Sequence, residues 1–423
     1  MKTRNPETRV VVTGMGCISV LGECPELMVE GLLHGRSGIT TWKSQPDSIY
    51  SKIGGDLSSF DLNRHLEGWP AGLAEKARSV LRLSAPAGRM VAAAAFQALA
   101  SAGALDLDGE GTAHILGTHN CNERFVFGQA LEFQAEPEFV DPMYGVVAFD
   151  TDALAATNEV FGIYGPTFTV GGACASSNVA LITALDLLRA GRASRVLVTG
   201  AAMTVSPLAL QGWAFIQALS LDTFLAEPHR ASRPFDARRE GFVPSEGAGA
   251  VLLETWDAAR RRGAPVRGEI LGGAITSAAS RGTRTDVDAQ RRAIRDALAD
   301  ALVRPDEVDY VNAHGTSTPV GDLNEMEALR HEFGDRARSV PINSSKSMLG
   351  HALQGASILE LIATIGQMER GWLHPTLNLE EVDPALADLN LLRGPAREAR
   401  VNVAMSNAFG FGGVNAVAMV GRV

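Results

Sequence analysis

Three residues in small-residue settings carry the chemistry that this sequence offers. Cys174 lies in the run Gly-Gly-Ala-Cys-Ala-Ser-Ser, after an extended apolar stretch and before a helix pattern with an apolar stripe. The positive end of a helix favours a thiolate, and small neighbours leave room for an acyl group. His314 and His351 follow much later, within Asn312–Thr318 and Lys346–His351. One nucleophile and two imidazoles predict acyl transfer followed by formation of a carbanion.

The two histidines suit the second half of that chemistry. Loss of CO₂ from a malonyl thioester supplies a carbon nucleophile, whose enolate oxygen needs hydrogen-bond donors. Two neutral imidazoles supply them without lowering the reactivity of the enolate as a full cation would. Lys346 is predicted to orient this network electrostatically. A lone histidine is more often a structural residue, but the glycine-rich turns around His314 and His351 favour a functional role.

A further motif lies near the end of the chain, where Ser406–Asn415 reads Ser-Asn-Ala-Phe-Gly-Phe-Gly-Gly-Val-Asn. Its glycines, Gly410 and Gly412 among them, allow close approach of the backbone to a ligand and mobility of Phe411. A glycine-rich bend between two strands is the alternative interpretation.

Asp322 and Glu325 follow His314 on a predicted helix start. They fit a supporting role in the site and also fit ordinary charges at a helix N-terminus. The sequence leaves both interpretations open.

Composition excludes several classes of protein. A length of 423 residues predicts two fused units or a large α/β domain, and 46% hydrophobic residues are typical of a globular enzyme. A formal net charge of −10 argues against nucleic-acid binding. No apolar run approaches the ~20 residues that span a bilayer. The start, Met1–Asn5, shows no signal-peptide hydrophobic region, so we expect a cytoplasmic location.

The four cysteines have no Cys-x-x-Cys spacing, which predicts neither a metal site nor a disulfide framework. Cys17 and Cys24 are predicted to be small buried hydrophobic residues. The polar neighbours of Cys121 leave a place on a pocket wall open.

Short apolar runs alternate with longer helical patterns, which predicts βαβ units and a mainly parallel or mixed sheet. The strand candidates are Arg9–Thr13, Ala113–Leu116, Thr167–Val170, Val196–Val198, Ala248–Leu253, Ile270–Leu271, Asp309–Val311 and Val401–Met405. A polar helix end followed by Gly263 and Pro265 marks a boundary. The predicted N-terminal half, residues 1–262, carries the nucleophile, and the C-terminal half, residues 263–423, carries the two histidines.

A weak internal echo links these halves, because an apolar helical stripe begins seven positions after Cys174 and again seven positions after His351. The stripes are Leu181, Ala184, Leu185 and Leu188, and Ile358, Leu361, Ile362 and Ile365. Arg189 and Gly191 end the first pattern, and Arg370 and Gly371 end the second. The echo fits a duplicated fold whose halves each point the N-terminus of a central helix at one site.

Four ordered motifs, Ala173–Ser176, Val311–Asp322, Asn343–His351 and Asn407–Asn415, resemble those of the β-ketoacyl synthases. Within that family the chain is similar to the Cys-His-His elongating type of fatty acid and polyketide synthesis, over essentially its whole length. The resemblance implies a duplicated thiolase-like α-β-α-β-α layered fold of the α/β class and a homodimer.

The resemblance also implies roles for the residues of the site. Cys174 accepts the acyl group, and its backbone N–H forms an oxyanion hole with the N–H of Phe411. His314 and His351 bind the carbonyl of the malonyl thioester and promote decarboxylation. Phe411 is the gate over the acyl pocket.

Supporting residues and a partner follow from the same resemblance. Lys346 anchors the network with Glu325, and Thr316 and Thr318 touch the phosphopantetheine arm. No cofactor beyond that arm is implied, since acyl carrier protein delivers the substrates. This acidic partner needs a local basic patch, whose candidates are Lys76, Arg78, Arg82 and Arg89, although a solvated helix face explains those charges equally well.

The sequence departs from the family pattern at four places. Gly-Gly-Ala precedes Cys174 where Asp-Thr-Ala is common, and Leu353–Ser357 replaces a usual Gly-Ala-Ala-Gly run. The segment Ser277–Thr283 lacks the familiar aspartate and histidine. Val146–Phe161, normally apolar, is expected to disfavour a long aliphatic chain because it contains Asp150, Asp152, Asn158 and Glu159.

These departures favour a discrete ketosynthase of a polyketide-type pathway that acts on a short or polar acyl group. One alternative is a stand-alone malonyl-ACP decarboxylase that supplies acetyl-ACP for polyketide β-branching, which needs the histidines but not the thiol. The second alternative is a non-catalytic heterodimer partner of a ketosynthase. A degradative thiolase is disfavoured because no cysteine follows Cys174, and an initiating ketosynthase because His351 replaces its asparagine.

Overall fold

The computed structural model describes residues 9–106 and 108–423. Within these residues the strands are β1 Val10–Ile18, β2 Thr40–Thr41, β3 Ile53–Gly54, β4 Thr112–Gly117, β5 Thr167–Val170, β6 Arg195–Ala201, β7 Ala248–Thr255, β8 Gly268–Ser277, β9 Tyr310–Asn312, β10 Ile342–Asn343, β11 Trp372–Leu373, β12 Arg397–Glu398, β13 Val403–Phe409 and β14 Val414–Gly421. The helices are α1 Pro25–Leu33, α2 Leu62–Leu66, α3 Ala71–Leu81, α4 Pro86–Ser101, α5 Glu123–Ala135, α6 Tyr144–Val147, α7 Asp150–Phe161, α8 Ser176–Arg189, α9 Pro207–Phe215, α10 Trp256–Arg261, α11 Val287–Asp300, α12 Pro319–Phe333, α13 Lys346–Leu349 and α14 Ala356–Arg370.

Ten of these strands form one mixed sheet, in the order β10-β9-β13-β14-β8-β1-β7-β6-β4-β5. Its two halves repeat one connectivity. From the outer edge inward, each half places its third strand, then its second, fourth, fifth and first, which is β5-β4-β6-β7-β1 in one half and β10-β9-β13-β14-β8 in the other. The duplication that the internal echo predicted is therefore confirmed.

The two half-sheets meet at their first strands, β1 and β8, which pair antiparallel through Val10–Val12 and residues 268–270. α10 and a short connection lead from one half into the other. The division at residue 262 stays a prediction, because the two half-sheets share this continuous junction.

Two central helices lie between the halves and contact both. α8 packs on β4 and β6 of the first half and on β8 and β14 of the second, while α14 packs on β6, β7 and β13. α4 covers the outer side of β1 and β7, and α11 covers the outer side of β8 and β14. These layers form the α-β-α-β-α arrangement, with a core rich in Leu, Ile, Val and Ala.

The sequence located most of these elements. The cores of all eight predicted strands lie in strands, and α8 and α14 end at Arg189 and Arg370 as predicted, with Gly191 and Gly371 at positive φ. The strand predicted to begin at Val401 begins two residues later, at Val403, so this boundary was wrong. The N–H groups of Asn402 and Val403 donate to the Asp309 carboxylate at this point. The expectation at Met1–Asn5 lies outside the described residues.

None of the helices within residues 9–106 and 108–423 is long and apolar enough to cross a lipid bilayer.

Ile358 tests the packing of a central helix on the sheet. It is buried in α14, and a Cβ added at Gly200 or Gly249 would lie 2.8 Å from its Cγ2 atom. We expect Ile358→Ala to lower the free energy of unfolding by about 2–5 kcal/mol, because the cavity left behind cannot close fully. Chemical denaturation followed by circular dichroism measures this change. Ile275→Ala, at an exposed position, should shift the value by about 0.5 kcal/mol or less; equal losses would contradict the packing.

Candidate functional site

A short 3-10 turn, Ala173–Ala175, holds Cys174 between β5 and α8. The Ser176 hydroxyl accepts from the N–H of Gly172 at 2.9 Å and donates to the carbonyl of Ala173 at 2.7 Å. These bonds fix the turn so that the thiol lies at the N-terminus of α8. The position that the sequence predicted for Cys174 is confirmed.

The protonation state of Cys174 differs from the sequence-based expectation. Burial raises the pKa of the thiol to about 11, against the lowering effects of Lys346 and of the backbone N–H groups of Phe411 and Cys174. The expected preference for a thiolate was therefore wrong for the resting site. Local sequence indicates the helix end, but burial comes from distant parts of the chain and has the larger effect.

The motif near the C-terminus folds into a second turn beside Cys174. Phe411–Gly413 form a 3-10 turn between β13 and β14, with Gly412 at φ +80°. A Cβ at Gly410 would lie 2.4 Å from the carbonyl oxygen of Gly172 and 3.2 Å from the backbone nitrogen of Cys174. Only glycine fits this close approach. The motif therefore connects two strands and also packs its backbone against the turn that holds Cys174.

Glu325 of α12 fixes the loop that carries His314, just after β9. Its carboxylate accepts from the N–H groups of His314 and Gly315, each at 2.8 Å, and from Asn407 Nδ2 at 2.9 Å. Glu325 is buried, so it is a positioning residue for the loop rather than a surface charge.

Lys346 is buried at the start of α13, where it contacts two other segments. Its Nζ atom donates to the His314 carbonyl at 2.7 Å and forms an ion pair with Glu360 of α14. Lys346 bonds to the His314 carbonyl and Glu325 accepts from the His314 N–H, and their joint role as anchors of the network stays a prediction. Glu360 interrupts an apolar helical run, which is the signal that could have revealed it.

His351 lies between α13 and α14 with one tautomer favoured. The N–H of Leu353 donates to His351 Nδ1 at 3.2 Å, so the proton of the neutral ring lies on Nε2. Within residues 9–106 and 108–423, His351 Nε2 and His314 Nδ1 have no hydrogen-bond partner although both are buried. The two rings meet edge to face with centroids 5.5 Å apart, and Phe242 packs against His351 at 5.4 Å.

Both imidazoles are neutral at physiological pH. Burial lowers the pKa of His314 and of His351 well below the usual value, and the nearby Lys346 ammonium lowers both further. A charged imidazolium would be buried beside another cation, which is costly. The expectation of two neutral imidazoles is confirmed.

Cys174, His314 and His351 share the wall of one cavity of about 500 Å³. Four further predicted residues line it: Gly410, Phe411, Thr316 and Thr318. The Thr316 and Thr318 hydroxyls are 3.0 Å apart and hydrogen-bonded. The sequence motifs did not reveal other lining residues, because segments distant along the chain bring them together: Ile216, Gln217, Glu240, Phe242 and Gln290.

Four predicted site residues lie outside the cavity wall: Lys346, Glu325, Asp322 and Gly412. Asp322 is buried, accepts from the N–H of Phe235 at 2.9 Å, and lies 3.5 Å from Arg239 Nε. Burial raises the pKa of Asp322 to about 7, although Arg239 lowers it. Asp322 therefore supports the start of α12 from inside and is no solvated helix charge.

The polar residues of Val146–Phe161 do not line the cavity. Asp150 accepts from the N–H groups of Asn120 and Cys121 at 3.0 and 2.8 Å, and Asn158 pairs with His114 at 2.6 Å. The effect of this segment on the length of the acyl chain therefore stays a prediction. Cys121 is also fully buried, in the core beside α4, and not on its wall.

The four basic residues predicted to form a surface patch differ in their exposure. Lys76, Arg78 and Arg82 are exposed on and just after α3. Arg89 is half-buried and donates to the carbonyls of Leu81 and Arg82, where it caps α3. At the cavity mouth Arg284 is a lining residue.

Comparisons with known proteins cover most of the chain. Residues 7–259 match the family model "Beta-ketoacyl synthase, N-terminal domain", and residues 267–380 match "Beta-ketoacyl synthase, C-terminal domain". The chain is 35% identical over 424 residues to 3-oxoacyl-[acyl-carrier-protein] synthase II, chloroplastic, of Arabidopsis thaliana, covering 98% of this chain and 76% of the relative. It is 30% identical over 417 residues to the polyketide biosynthesis malonyl-ACP decarboxylase PksF of Bacillus subtilis, covering 98% and 96%.

A solved structure shares the fold. It is a type II PKS acyl-carrier protein in complex with its ketosynthase bound to the hexaketide. The TM-score is 0.83 at 26% identity, and the match covers 98% of this chain and 99% of the other.

The raised pKa of Cys174 predicts how its reactivity depends on pH. Only the thiolate reacts with iodoacetamide, so the alkylation rate should rise about tenfold per pH unit between pH 7 and 9. Peptide mass spectrometry of the Cys174 peptide measures the rate, and Cys174→Ser identifies alkylation at the other cysteines. A rate that levels off below pH 9 would show that the folded site favours the thiolate.

Proposed function

The chain belongs to the β-ketoacyl synthase family, and we propose that it is an acyltransferase of the 3-oxoacyl-ACP synthase type. It would join an acyl group to the two carbons of a decarboxylated malonyl unit in fatty-acid-type or polyketide biosynthesis. One observation carries the proposal: a thiol and two neutral imidazoles share the wall of one cavity. The N-terminal half, residues 1–262, supplies the thiol, and the C-terminal half, residues 263–423, supplies both imidazoles.

The first step is acyl transfer to Cys174. The sulfur attacks the thioester carbonyl of the acyl carrier, and the C–S bond to the arm breaks. The thiol proton leaves Cys174, and the departing arm becomes a thiol. The N–H groups of Cys174 and Phe411 both lower the pKa of the thiol, which supports their placement as oxyanion donors.

The second step is decarboxylative condensation. His351 Nε2–H and His314 hydrogen-bond to the malonyl thioester oxygen, CO₂ leaves, and the electron pair of the broken C–C bond forms the enolate. The enolate carbon attacks the thioester on Cys174, and the Cys174 sulfur leaves. Neutral imidazoles suit this step, because they stabilise the enolate without protonating it.

The substrates would arrive on the phosphopantetheine arm of acyl carrier protein. Thr316 and Thr318 line the cavity, which supports a contact of their hydroxyls with the arm. Lys76, Arg78 and Arg82 offer an exposed basic patch to this acidic partner. The mechanism requires no metal or further cofactor. Four free cysteines suit a reducing compartment, which supports a cytoplasmic location.

A stand-alone malonyl-ACP decarboxylase is the second candidate function. The resting site has neutral imidazoles ready for decarboxylation, while burial keeps the Cys174 thiol protonated. Decarboxylation needs the histidines alone. The similarity to a malonyl-ACP decarboxylase supports this alternative as well.

We also propose a homodimer. β5 is the edge strand of its half-sheet and is only partly covered. None of the 13 residues of α5 is buried, and Phe133 and Phe139 each expose 63% of their surface. Large exposed aromatic side chains and an open strand edge are each typical of an interface.

The two candidate functions give different products. Malonyl-ACP is incubated with the protein, with and without an acyl-ACP primer, and the carrier is weighed by mass spectrometry. Condensation predicts a β-ketoacyl carrier that is lost in Cys174→Ala. Acetyl carrier alone, unaffected by Cys174→Ala, would instead identify the decarboxylase.

The histidines provide a test common to both candidates. His314→Ala should lower either activity by about 10²-fold or more, because it removes one donor to the enolate oxygen. Full activity in this variant would overturn the assignment of the site. Activity of the purified protein alone would exclude the non-catalytic partner subunit.

Light scattering tests the homodimer. The wild-type protein should have the mass of a dimer. Phe133→Asp should shift the measured mass toward that of the monomer, because a charge is costly in an apolar interface. Leu27→Asp, at a similarly exposed position on α1, should leave the mass unchanged. A monomeric wild type, or equal effects of the two variants, would contradict the interface.

A further inference from the structure

The loop that connects β2 to β3 forms most of the wall of a second cavity. Its volume is about 330 Å³, and among residues 9–106 and 108–423 none lines both this cavity and the catalytic one. The wall combines apolar and polar side chains, of which six carry the argument: Trp42, Gln45, Ile49, Ser51, Lys52 and Leu225. We call this space the β2–β3 cavity.

Hydrogen bonds hold the loop near its start and near its end. The Asp56 carboxylate accepts from the N–H of Ser44 at 3.0 Å. The N–H of Tyr50 donates to Gln211 Oε1 at 3.1 Å. The cavity is therefore formed before any ligand enters, so binding does not require the loop to be ordered first, which favours affinity.

Three side chains of the wall have a polar atom without a hydrogen-bond partner in the described part of the chain. These atoms are Trp42 Nε1, Gln45 Oε1 and Ser51 Oγ, and all three are buried. Ser51 is fully buried, and Trp42 exposes only 9% of its surface. Gln45 Nε2 already donates to the carbonyl of Val205 at 2.6 Å, which leaves Gln45 Oε1 as a free acceptor. Buried polar groups normally have partners, so these three atoms indicate a missing one.

The catalytic cavity shows the same combination of features. His314 Nδ1 and His351 Nε2 are buried without a partner in residues 9–106 and 108–423, and both histidines line that cavity. They are the residues proposed to bind the malonyl thioester. Water is a poor partner for the second set, because the apolar side chains of Ile49 and Leu225 on the same wall offer it no hydrogen bonds.

The polar groups of the wall define the chemistry of a ligand. Trp42 Nε1–H is a donor only, and the Lys52 ammonium has N–H groups beyond the one that it donates to the Asp47 carbonyl. Both groups suit the oxygens of an anion. Gln45 Oε1 requires a donor such as a hydroxyl group. The Asp47 side chain is exposed, so solvent screens its charge.

We propose that the β2–β3 cavity is a second binding site, which takes a small carboxylic acid with an apolar body and a hydroxyl group. The carboxylate accepts from Trp42 Nε1 and Lys52 Nζ, and the ligand hydroxyl donates to Gln45 Oε1. Ser51 Oγ bonds to either oxygen, since a hydroxyl both donates and accepts. The proposal goes beyond the condensing function and does not depend on it.

Isothermal titration calorimetry of the full-length protein tests the site. The probes are the three isomers of hydroxybenzoate, with benzoate and phenol as reference compounds. At least one hydroxybenzoate should bind with a Kd of about 1 mM or tighter, which is the range for a ligand of about ten heavy atoms. Benzoate lacks the hydroxyl and phenol lacks the carboxylate, so each should bind about fivefold more weakly or worse.

Variants of the wall locate the bound probe. Lys52→Met should weaken hydroxybenzoate binding by about tenfold and leave phenol binding unchanged, because it removes a charge-assisted hydrogen bond. Lys43→Met is the matched control, since Lys43 is exposed on the same loop and does not line the cavity, and it should leave the Kd unchanged. Ser51→Ala should weaken binding by about fivefold.

Leu225→Trp keeps the test decisive if Ser51→Ala fails to fold. Leu225 exposes 41% of its surface, so a larger side chain is tolerated there and fills the cavity, which should abolish binding.

Three outcomes would overturn the proposal. If no hydroxybenzoate binds, the cavity holds water alone. If Lys52→Met and Leu225→Trp bind as tightly as wild type, the probes occupy another place on the protein. If phenol binds as tightly as the hydroxybenzoates, the site does not recognise an acid. None of these results bears on condensation, which the carrier assay measures separately.

Discussion

The buried ammonium of Lys346 is the interaction on which the rest of the site depends. It joins three segments: its own helix α13, the loop of His314 through a backbone carbonyl, and α14 through Glu360. Its charge also lowers the pKa of both histidines and of Cys174. A buried ion pair often stabilises a fold less than apolar packing does. Its value here lies in fixing the electrostatics of the cavity, which apolar residues cannot do.

The duplicated fold explains how distant motifs reach one cavity. Each half directs a central helix toward the same point, so Cys174 precedes α8 and His351 precedes α14. The approach is close enough to need residues without side chains. A Cβ at Gly355, just before α14, would lie 2.7 Å from the backbone nitrogen of Ala202, just after β6. Small residues at these junctions are thus a requirement of the architecture.

Sequence predicted what depends on neighbours along the chain. The strand cores, the ends of α8 and α14, and the cavity positions of Cys174, His314 and His351 follow from local patterns. Contacts between segments did not follow. A local pattern shows Glu360 within an apolar helical run, but it does not show that Lys346 is its partner. The prediction that Cys174 favours the thiolate was wrong for the same reason. Burial is a property of the folded chain, whereas the position at a helix end is a property of the sequence.

Burial acts on the thiol and the imidazoles in the same direction, toward the neutral form, and this has different consequences for the two steps. For the histidines burial favours the reactive form, because a neutral imidazole is the form that decarboxylation needs. For Cys174 burial disfavours the reactive form, because the nucleophile is the charged thiolate. Once the sulfur carries an acyl group it no longer titrates, and the enolate is the only new charge in the cavity. The Lys346 ammonium behind the wall favours that anion, as it favours the Cys174 thiolate in the first step, and in both steps it acts against the effect of burial.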